Sequence, residues 1–286
     1  MSLFQGNDRF QPAGSGVSRL RGIGLMTCLT VFAALAPAET YIIPHIPVGG
    51  GWSTRLLFSN SGATAVTADV TFYTTTGETG TVTLEGQQGT QSTKHVIVGQ
   101  NQVELLNLDP TLRNAGPLVV TWAKVTTSGP LTIFVIFDSS TPTVVPTTIP
   151  ATLITGSVGA QAVPTATSFR FPFAEAGPLH FNAGLAIANP NATATNFTIF
   201  LLNADGTINH SLQMSLQANS QTSFVLSDPT IFGNNIDSSS PLLFNGSIAI
   251  CASQPVGVVP IGIEGGALFT IPVTNDTFAN PACPLM

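Results

Sequence analysis

Charged residues are scarce in this chain of 286 residues. Lysine, arginine, aspartate and glutamate together make up 8% of the sequence, and the net charge is −6. Typical soluble domains carry about 25% charged residues. Only two lysines occur, Lys94 and Lys124. Nucleic acids are bound by clustered lysine and arginine, so we predict no nucleic-acid partner.

Residues that perform catalysis or bind metal ions are also few. The four histidines, His45, His95, His180 and His210, share no spacing with one another and no nearby Cys or Glu cluster of the kind a zinc site needs. No Gly-x-Ser-x-Gly or His-Glu-x-x-His motif occurs. We therefore predict a non-enzymatic protein with no cofactor and no metal site, although a triad assembled only by folding stays open.

One long apolar run lies near the N-terminus. Arg19 and Arg21 precede residues 22–36, GIGLMTCLTVFAALA, and Ala36-Pro37-Ala38 then supplies small residues. This pattern is typical of a secretory signal peptide and its cleavage site. We predict a signal peptide over 1–38 and a secreted, periplasmic or cell-surface location.

Two other interpretations of the apolar run stay open. An uncleaved membrane anchor is one, although the run is shorter than the about 20 residues of a membrane helix. A lipoprotein signal at Cys28 is the other, but Thr27 stands where a small Gly or Ala is expected. No second apolar span follows, so we expect no membrane span after signal cleavage.

The whole chain contains 27 Gly and 21 Pro, and the part that follows the apolar run is rich in Val, Ile, Thr and Phe. β-branched and aromatic residues favour strands, and Gly and Pro favour turns. In the segment 66–72 apolar and polar residues alternate, as in a strand with one buried face and one wet face. The composition and this period of two indicate an all-β fold.

A long segment of the sequence occurs twice. LLFSNSGATAVTADVTFYTTTG, residues 56–77, aligns without a gap with LAIANPNATATNFTIFLLNADG, residues 185–206, so that Asn60 meets Asn189 and Gly77 meets Gly206. We interpret each copy as the central hairpin of a β-sandwich, ending in a glycine turn. Loop lengths drift between later landmarks, as insertions do in homologous repeats.

The repeat predicts two tandem antiparallel immunoglobulin-like β-sandwiches behind the signal peptide. We place the first sandwich at residues 39–151 and the second at 168–286. The segment 152–167, TLITGSVGAQAVPTAT, is composed of small and polar residues and is predicted to be a linker.

Three stretches resemble a group of uncharacterised secreted bacterial proteins of acidobacterial type, built from tandem β-sandwich repeats. They are Gly51-Trp52-Ser53-Thr54-Arg55-Leu56, the segment from Asn60 onward, and Trp122-Ala123-Lys124-Val125-Thr126. The second copy departs from this pattern, with Asn182-Ala183-Gly184 and Ser247-Ile248-Ala249-Ile250 where the tryptophans would lie. The resemblance implies a fold and carries no activity.

Two motifs could bind ions, but each also has a structural explanation. Gly49-Gly50-Gly51 leads into a predicted strand, whereas a phosphate-binding loop leads into a helix. Asp109 and Asp228 each precede Pro-Thr, which suits a helix cap with proline at the first helical position. Calcium ligation by these aspartates is the alternative, but few acidic residues lie nearby in the sequence.

Trp52 and Trp122 are the candidate ligand-stacking residues. Exposed aromatic rings form rigid contact surfaces, and two of them could stack on a sugar. A lone Trp in a β-sandwich is also a common core residue, and this alternative stays open.

These observations lead us to expect an exported, non-catalytic structural, adhesive or interaction protein of the cell surface or the extracellular space. Its expected partner is a surface protein or glycan, and self-association is consistent with the weakly charged surface. A carbohydrate-binding accessory protein is the alternative, followed by an exported hydrolase. An exposed strip of Trp and Tyr would favour sugar binding, whereas bare apolar sheet edges would favour assembly by strand addition.

A disulfide between Cys251 and Cys283 is the first testable prediction. These are the only cysteines left after signal removal, and export permits oxidation. A closed loop of about thirty residues should contribute about 3 to 4 kcal/mol on the chain-entropy model. Thiol labelling of the unfolded, unreduced mature protein should detect no free thiol, and two reactive thiols per chain would exclude the bridge.

Overall fold

A computed structural model describes residues 38–114, 116–144, 153–175, 182–226, 228–232, 244–264 and 267–275. The predicted signal peptide up to residue 37 and Cys283 therefore lie outside the described residues. Within those ranges, no helix is long and apolar enough to cross a membrane.

The first half of the described chain consists of ten strands and one short 3-10 turn, Pro110–Asn114. The strands are β1 (Glu39–Val48), β2 (Trp52–Asn60), β3 (Val66–Thr74), β4 (Val82–Thr83), β5 (Thr90–Gln91), β6 (Thr93–Val98), β7 (Gln102–Asn107), β8 (Val119–Thr127), β9 (Thr132–Val144) and β10 (Leu153–Gln161).

The second half follows with strands β11 to β17 and one helical turn, α1 (Pro229–Phe232). The strands are β11 (Ala166–Glu175), β12 (Asn182–Ala188), β13 (Thr195–Asn203), β14 (Ile208–Leu216), β15 (Gln221–Val225), β16 (Phe244–Glu264) and β17 (Ala267–Thr270).

Both halves have the same strand order. In the first half one sheet runs β1-β8-β3-β6 and the facing sheet runs β7-β2-β9-β10. In the second half β11-β16-β13-β14 faces β15-β12-β16-β17, because the long strand β16 contributes to both sheets. The prediction of an all-β sandwich fold is confirmed.

The prediction that the aligned segments form hairpins is wrong. β2 and β3 lie in different sheets, and β12 and β13 pair with different parts of β16 and not with each other. The loop between each pair is held by a buried asparagine, because Asn60 Nδ2 donates to the carbonyl oxygens of Thr64, Val98 and Gly99 at 2.7, 3.1 and 3.1 Å. Asn189 makes equivalent bonds to the oxygens of Thr193 and Gln217, both at 2.9 Å. These bonds fix the loop through which the chain passes from one sheet to the facing sheet.

The strands differ in how many faces they bury. β3 alternates as predicted, with its apolar side chains inside and its polar side chains outside. β12 is buried on both faces, because Leu185 and Ile187 face the second core while Ala186 joins the core of the first half. The second half therefore packs the outer face of one sheet against the first half.

Trp122 is at the centre of this contact. Its side chain is fully buried, stacks on the Tyr73 ring with centroids 4.5 Å apart, and donates from Nε1 to the Asn219 carbonyl oxygen at 3.0 Å. A second bond joins the halves, from the Gln221 backbone nitrogen to the Thr75 oxygen at 3.0 Å. These two bonds satisfy the indole N–H and the Gln221 backbone N–H, whereas the side-chain amide of Gln221 is buried without a hydrogen-bond partner.

A glycine allows close approach at the same contact. A Cβ at Gly257 would lie 2.4 Å from the Ile42 Cγ2 atom, so only glycine fits there without rearrangement. Ile42, Trp122 and Ala188 form a separate buried cluster between the halves.

The segment predicted as a linker contains regular structure. Residues 153–161 form β10, which pairs antiparallel with β9, and its Thr155 pairs with Ala267 of β17. Both halves fall within one compact unit. The small residues of this segment belong to a strand that pairs with neighbours on both sides. Composition alone does not distinguish such a strand from an open linker. The division into two domains stays a prediction.

We predict that Trp122→Ala destabilises the protein by about 3 to 5 kcal/mol, the usual range for truncating a buried tryptophan. The change removes the Tyr73 stack and leaves the Asn219 oxygen without its donor. Urea unfolding of the mature chain measures it. Ile97→Ala, at an exposed position, should change the free energy of unfolding by less than about 0.5 kcal/mol. Similar effects of both changes would contradict this role of Trp122.

Candidate functional site

The first half has an open side at strands β6 and β7. Within the described ranges, β6 pairs with no strand but β3 and β7 with no strand but β2, so each is the edge strand of its sheet. At the end of β7 the Asn107 oxygen also accepts from the Glu85 nitrogen at 3.0 Å. Edge strands present unpaired backbone groups and can add another strand. We call the surface formed by β6, β7 and their connecting turn the open edge.

Apolar side chains are exposed on the open edge. Ile97 is 60% exposed, Val103 56% and Leu105 46%, and their neighbours Val98 and Leu106 point into the core. Ile97 projects from the outer face of one sheet, and Val103 and Leu105 project from the outer face of the other, so the three flank the turn that joins the two edge strands. Single exposed apolar residues are common on protein surfaces, but these three lie on two edge strands joined by one turn.

The second half shows that the fold does not require these apolar residues. Its equivalent strands are β14 and β15, as the pairing of Asn196 with Ser215 and of Thr67 with Ile97 shows. Ser215, Gln221 and Ser223 occupy the places of Ile97, Val103 and Leu105. At these three positions apolar exposure is thus specific to the first half, whereas at the start of β14 Ile208 is exposed as well.

A charged cluster lies on the outer face of the sheet that contains β2 and β9. Arg55 donates to both Asp138 oxygens, at 2.8 and 2.9 Å, and Ser157 also donates to this carboxylate. Arg113 lies 3.7 Å from the carboxylate and bonds the Ser53 hydroxyl. Burial raises the pKa of Asp138, but these donors and positive charges outweigh it and lower the pKa below its usual value. The cluster ties the 3-10 turn to the sheet.

His45 lies on the other side of that sheet. Its ring contacts the Phe137 ring, with centroids 5.9 Å apart, and its Nδ1 atom is buried without a hydrogen-bond partner. Phe137 belongs to the core, whereas its neighbour Asp138 faces outward. The strand therefore separates His45 from the carboxylate and serine hydroxyls of the charged cluster.

A histidine–carboxylate pair lies exposed on the outer face of the sheet that contains β3 and β6. His95 Nδ1 lies 2.7 Å from Asp69 Oδ1 across β3 and β6, and both side chains are more than half exposed. Among the described residues, no group of three or more His, Cys, Asp and Glu side chains could hold a metal ion.

Trp122 is fully buried, so it offers no ring face to a ligand, and the core alternative describes it correctly. Trp52 is half-buried and packs against the hydrophobic core. The two candidate stacking residues therefore do not form an exposed aromatic strip.

Structural explanations hold for the paired aspartates. Asp109 Oδ1 accepts from the Thr111 nitrogen at 2.9 Å, and Asp228 Oδ1 accepts from the Thr230 nitrogen at the same distance. Both therefore cap short helical turns, as predicted. Cys251 is disulfide-bonded. Its pairing with Cys283 stays a prediction, since Cys283 lies outside the described residues.

Sequence reasoning did not identify Ile97, Val103 and Leu105. Apolar residues follow one another in HVIV and again in VELL, so the alternation does not reveal which of them point outward. Comparison with Ser215 and Ser223 of the second copy was the available signal. An insertion containing β4 and β5 shifts the alignment between Gly77 and this region and obscures it.

No protein-family model, no curated protein and no solved structure matches this chain.

We predict that His45 lowers stability in mild acid. Burial lowers the pKa of His45 to about 4, against about 6.5 in the unfolded chain. Between these values only the unfolded chain binds the proton, so stability falls as the pH drops from about 6.5 to 4.

Thermal unfolding at pH 7 and pH 4.5 tests this prediction. His45→Phe keeps an apolar ring beside Phe137 and should lose less stability in acid than the parent protein does. Carboxylates such as Asp138 contribute equally in both proteins, so the difference isolates His45. Parallel pH profiles for the two proteins would contradict the prediction.

Proposed function

We propose that this chain is an exported, non-catalytic interaction protein of the cell surface or the extracellular space, and that the open edge of the first sandwich is its contact surface. The observation that carries the proposal is the exposure of Ile97, Val103 and Leu105 on two adjacent edge strands. Serine or glutamine stands at all three equivalent positions of the second half. A feature that one half has and the other lacks is not a requirement of the fold.

The edge strands can contribute two kinds of binding. Their outer backbone groups can pair with a strand of the partner, which supplies affinity independent of sequence. The exposed apolar side chains then bury surface on the partner, at about 25 cal/mol per Å² removed from water. Charge contributes little, since few ionic groups occur in the chain.

The geometry supports the carbohydrate-binding alternative less well. Sugar platforms use exposed aromatic rings, whereas Trp122 is buried and Tyr73 stacks on it. A hydrolase would need a nucleophile and a base in contact. His45 and the Ser157 hydroxyl lie on opposite sides of one sheet, which does not favour that arrangement.

The test is the binding of the purified mature chain to cell-envelope material, with a screen against ester, glycoside and peptide substrates. A triple variant, Ile97→Ser, Val103→Gln and Leu105→Ser, gives the first half the residues of the second. We expect binding to weaken at least about tenfold, because residues at the centre of a contact dominate its affinity.

Leu118→Ser is the matched control, since Leu118 is 47% exposed and lies outside the open edge. It should bind as the parent does, and circular dichroism should show both variants folded. Equal binding by the triple variant and the parent would overturn the assignment of the open edge. Turnover abolished by a single substitution, without envelope binding, would overturn the non-catalytic function.

A further inference from the structure

The contact between the two halves joins two unlike surfaces. The turn 217–221 of the second half, which we call the docking turn, packs on the turn 73–77 of the first half, the receiving turn. Trp122 Nε1 donates to the Asn219 oxygen and the Gln221 nitrogen donates to the Thr75 oxygen, both at 3.0 Å. Because the surfaces differ, one counterpart of each type remains that no described residue covers.

The unused docking turn is 99–103 of the first half. Asn101 and Asn219 both have a φ of 53°, and the same backbone bond closes each turn, from Gln102 to Gly99 at 3.2 Å and from Ser220 to Gln217 at 3.3 Å. Ser220 and Gln221 are buried, and the Gln221 backbone nitrogen donates to Thr75 of the first half. Residues 100–103 are all exposed.

The unused receiving turn is 202–206 of the second half. Gly77 and Gly206 have φ values of 95° and 83°, and each donates its backbone nitrogen to the residue three positions earlier. A Cβ on Gly77 would lie 2.5 Å from the Ala218 oxygen, so the docking turn sits directly against it. At Gly206 the same direction is open, with no atom within 4 Å.

A groove adjoins the unused receiving turn. Ser247 pairs with Leu202 as Trp122 pairs with Tyr73, so the small serine occupies the position of the tryptophan. The groove has a volume of about 430 Å³ and is lined in part by Arg170, Ala204 and Ser247. The groove has room for side chains of a docking turn. In the first half the Trp122 indole stands at the equivalent place.

We propose that copies of this chain associate head to tail, with the turn 99–103 of one copy docking on the turn 202–206 of the next. The equivalent turns 217–221 and 73–77 already form such a contact within the chain. Val103 within the turn 99–103 and Ile97 beside it add exposed apolar surface. A contact between unlike surfaces leaves one of each free at the ends, so it builds open chains. This inference rests on the proposed function and names a second copy as the partner at the open edge.

Complementary variants provide the test. Gln100→Trp enlarges the docking turn, and Ala204→Trp, or Ala204→Arg as a second version, fills the receiving side; all are at exposed positions. Gln88→Trp is the size-matched control in an exposed loop away from both turns. Sedimentation velocity over a concentration series measures association of the mature chain and of each variant, alone and mixed.

We expect the parent and Gln88→Trp to form a series of oligomers, and each blocking variant to associate at least about tenfold more weakly. A mixture of Gln100→Trp and Ala204→Trp should form dimers and nothing larger, because one intact surface of each type remains. No symmetric contact gives that result.

Three results would overturn the proposal: a parent that stays monomeric, association that Ala204 variants leave unchanged, and a mixture that forms no dimers. Envelope binding measured on the same samples separates this from the proposed function. If the triple variant loses envelope binding while the parent is monomeric, the open edge binds another molecule and only the head-to-tail assembly fails.

Discussion

The packing of the turn 217–221 on Trp122 determines how the two halves of the chain sit together. The indole is buried between Tyr73 and the second half, and its nitrogen is satisfied by a backbone oxygen across the contact. A buried N–H without an acceptor would cost about 1 to 3 kcal/mol, so the bond restricts the arrangement as well as stabilising it. β12 can then be apolar on both faces, since its outer face is covered by the first half.

The two halves share their framework and differ in their surfaces. Asn60 and Asn189 pin the same loop, and Asp109 and Asp228 cap the same turn. Because these residues satisfy backbone groups, every copy of the fold needs them. Trp122 and Ser247 occupy equivalent positions but make different contacts. Trp122 donates to the Asn219 oxygen of the other half, whereas Ser247 accepts from Arg170 of its own half.

This divergence supports interaction as the function. Valine at position 103 and glutamine at position 221 occupy the same place on an edge strand, yet Val103 is exposed and Gln221 is covered by the first half. Val103, the apolar residue of the two, is therefore the one that no other described part of the chain covers. Because the chain carries few charged residues, electrostatic repulsion between such edge strands is weak and does not oppose their contact.

The sequence by itself determined the all-β character of the fold, the glycine turns and the aspartate caps, because each depends on alternation or on hydrogen bonds within a few residues. It did not determine that β2 and β3 lie in opposite sheets, since alternation is the same whichever strand is the partner. Only the tertiary structure decided that Trp122 is core, that residues 153–161 pair as a strand, and that Ile97, Val103 and Leu105 point outward. Those outcomes depend on which surfaces, distant in the sequence, pack together, and no local pattern encodes that choice.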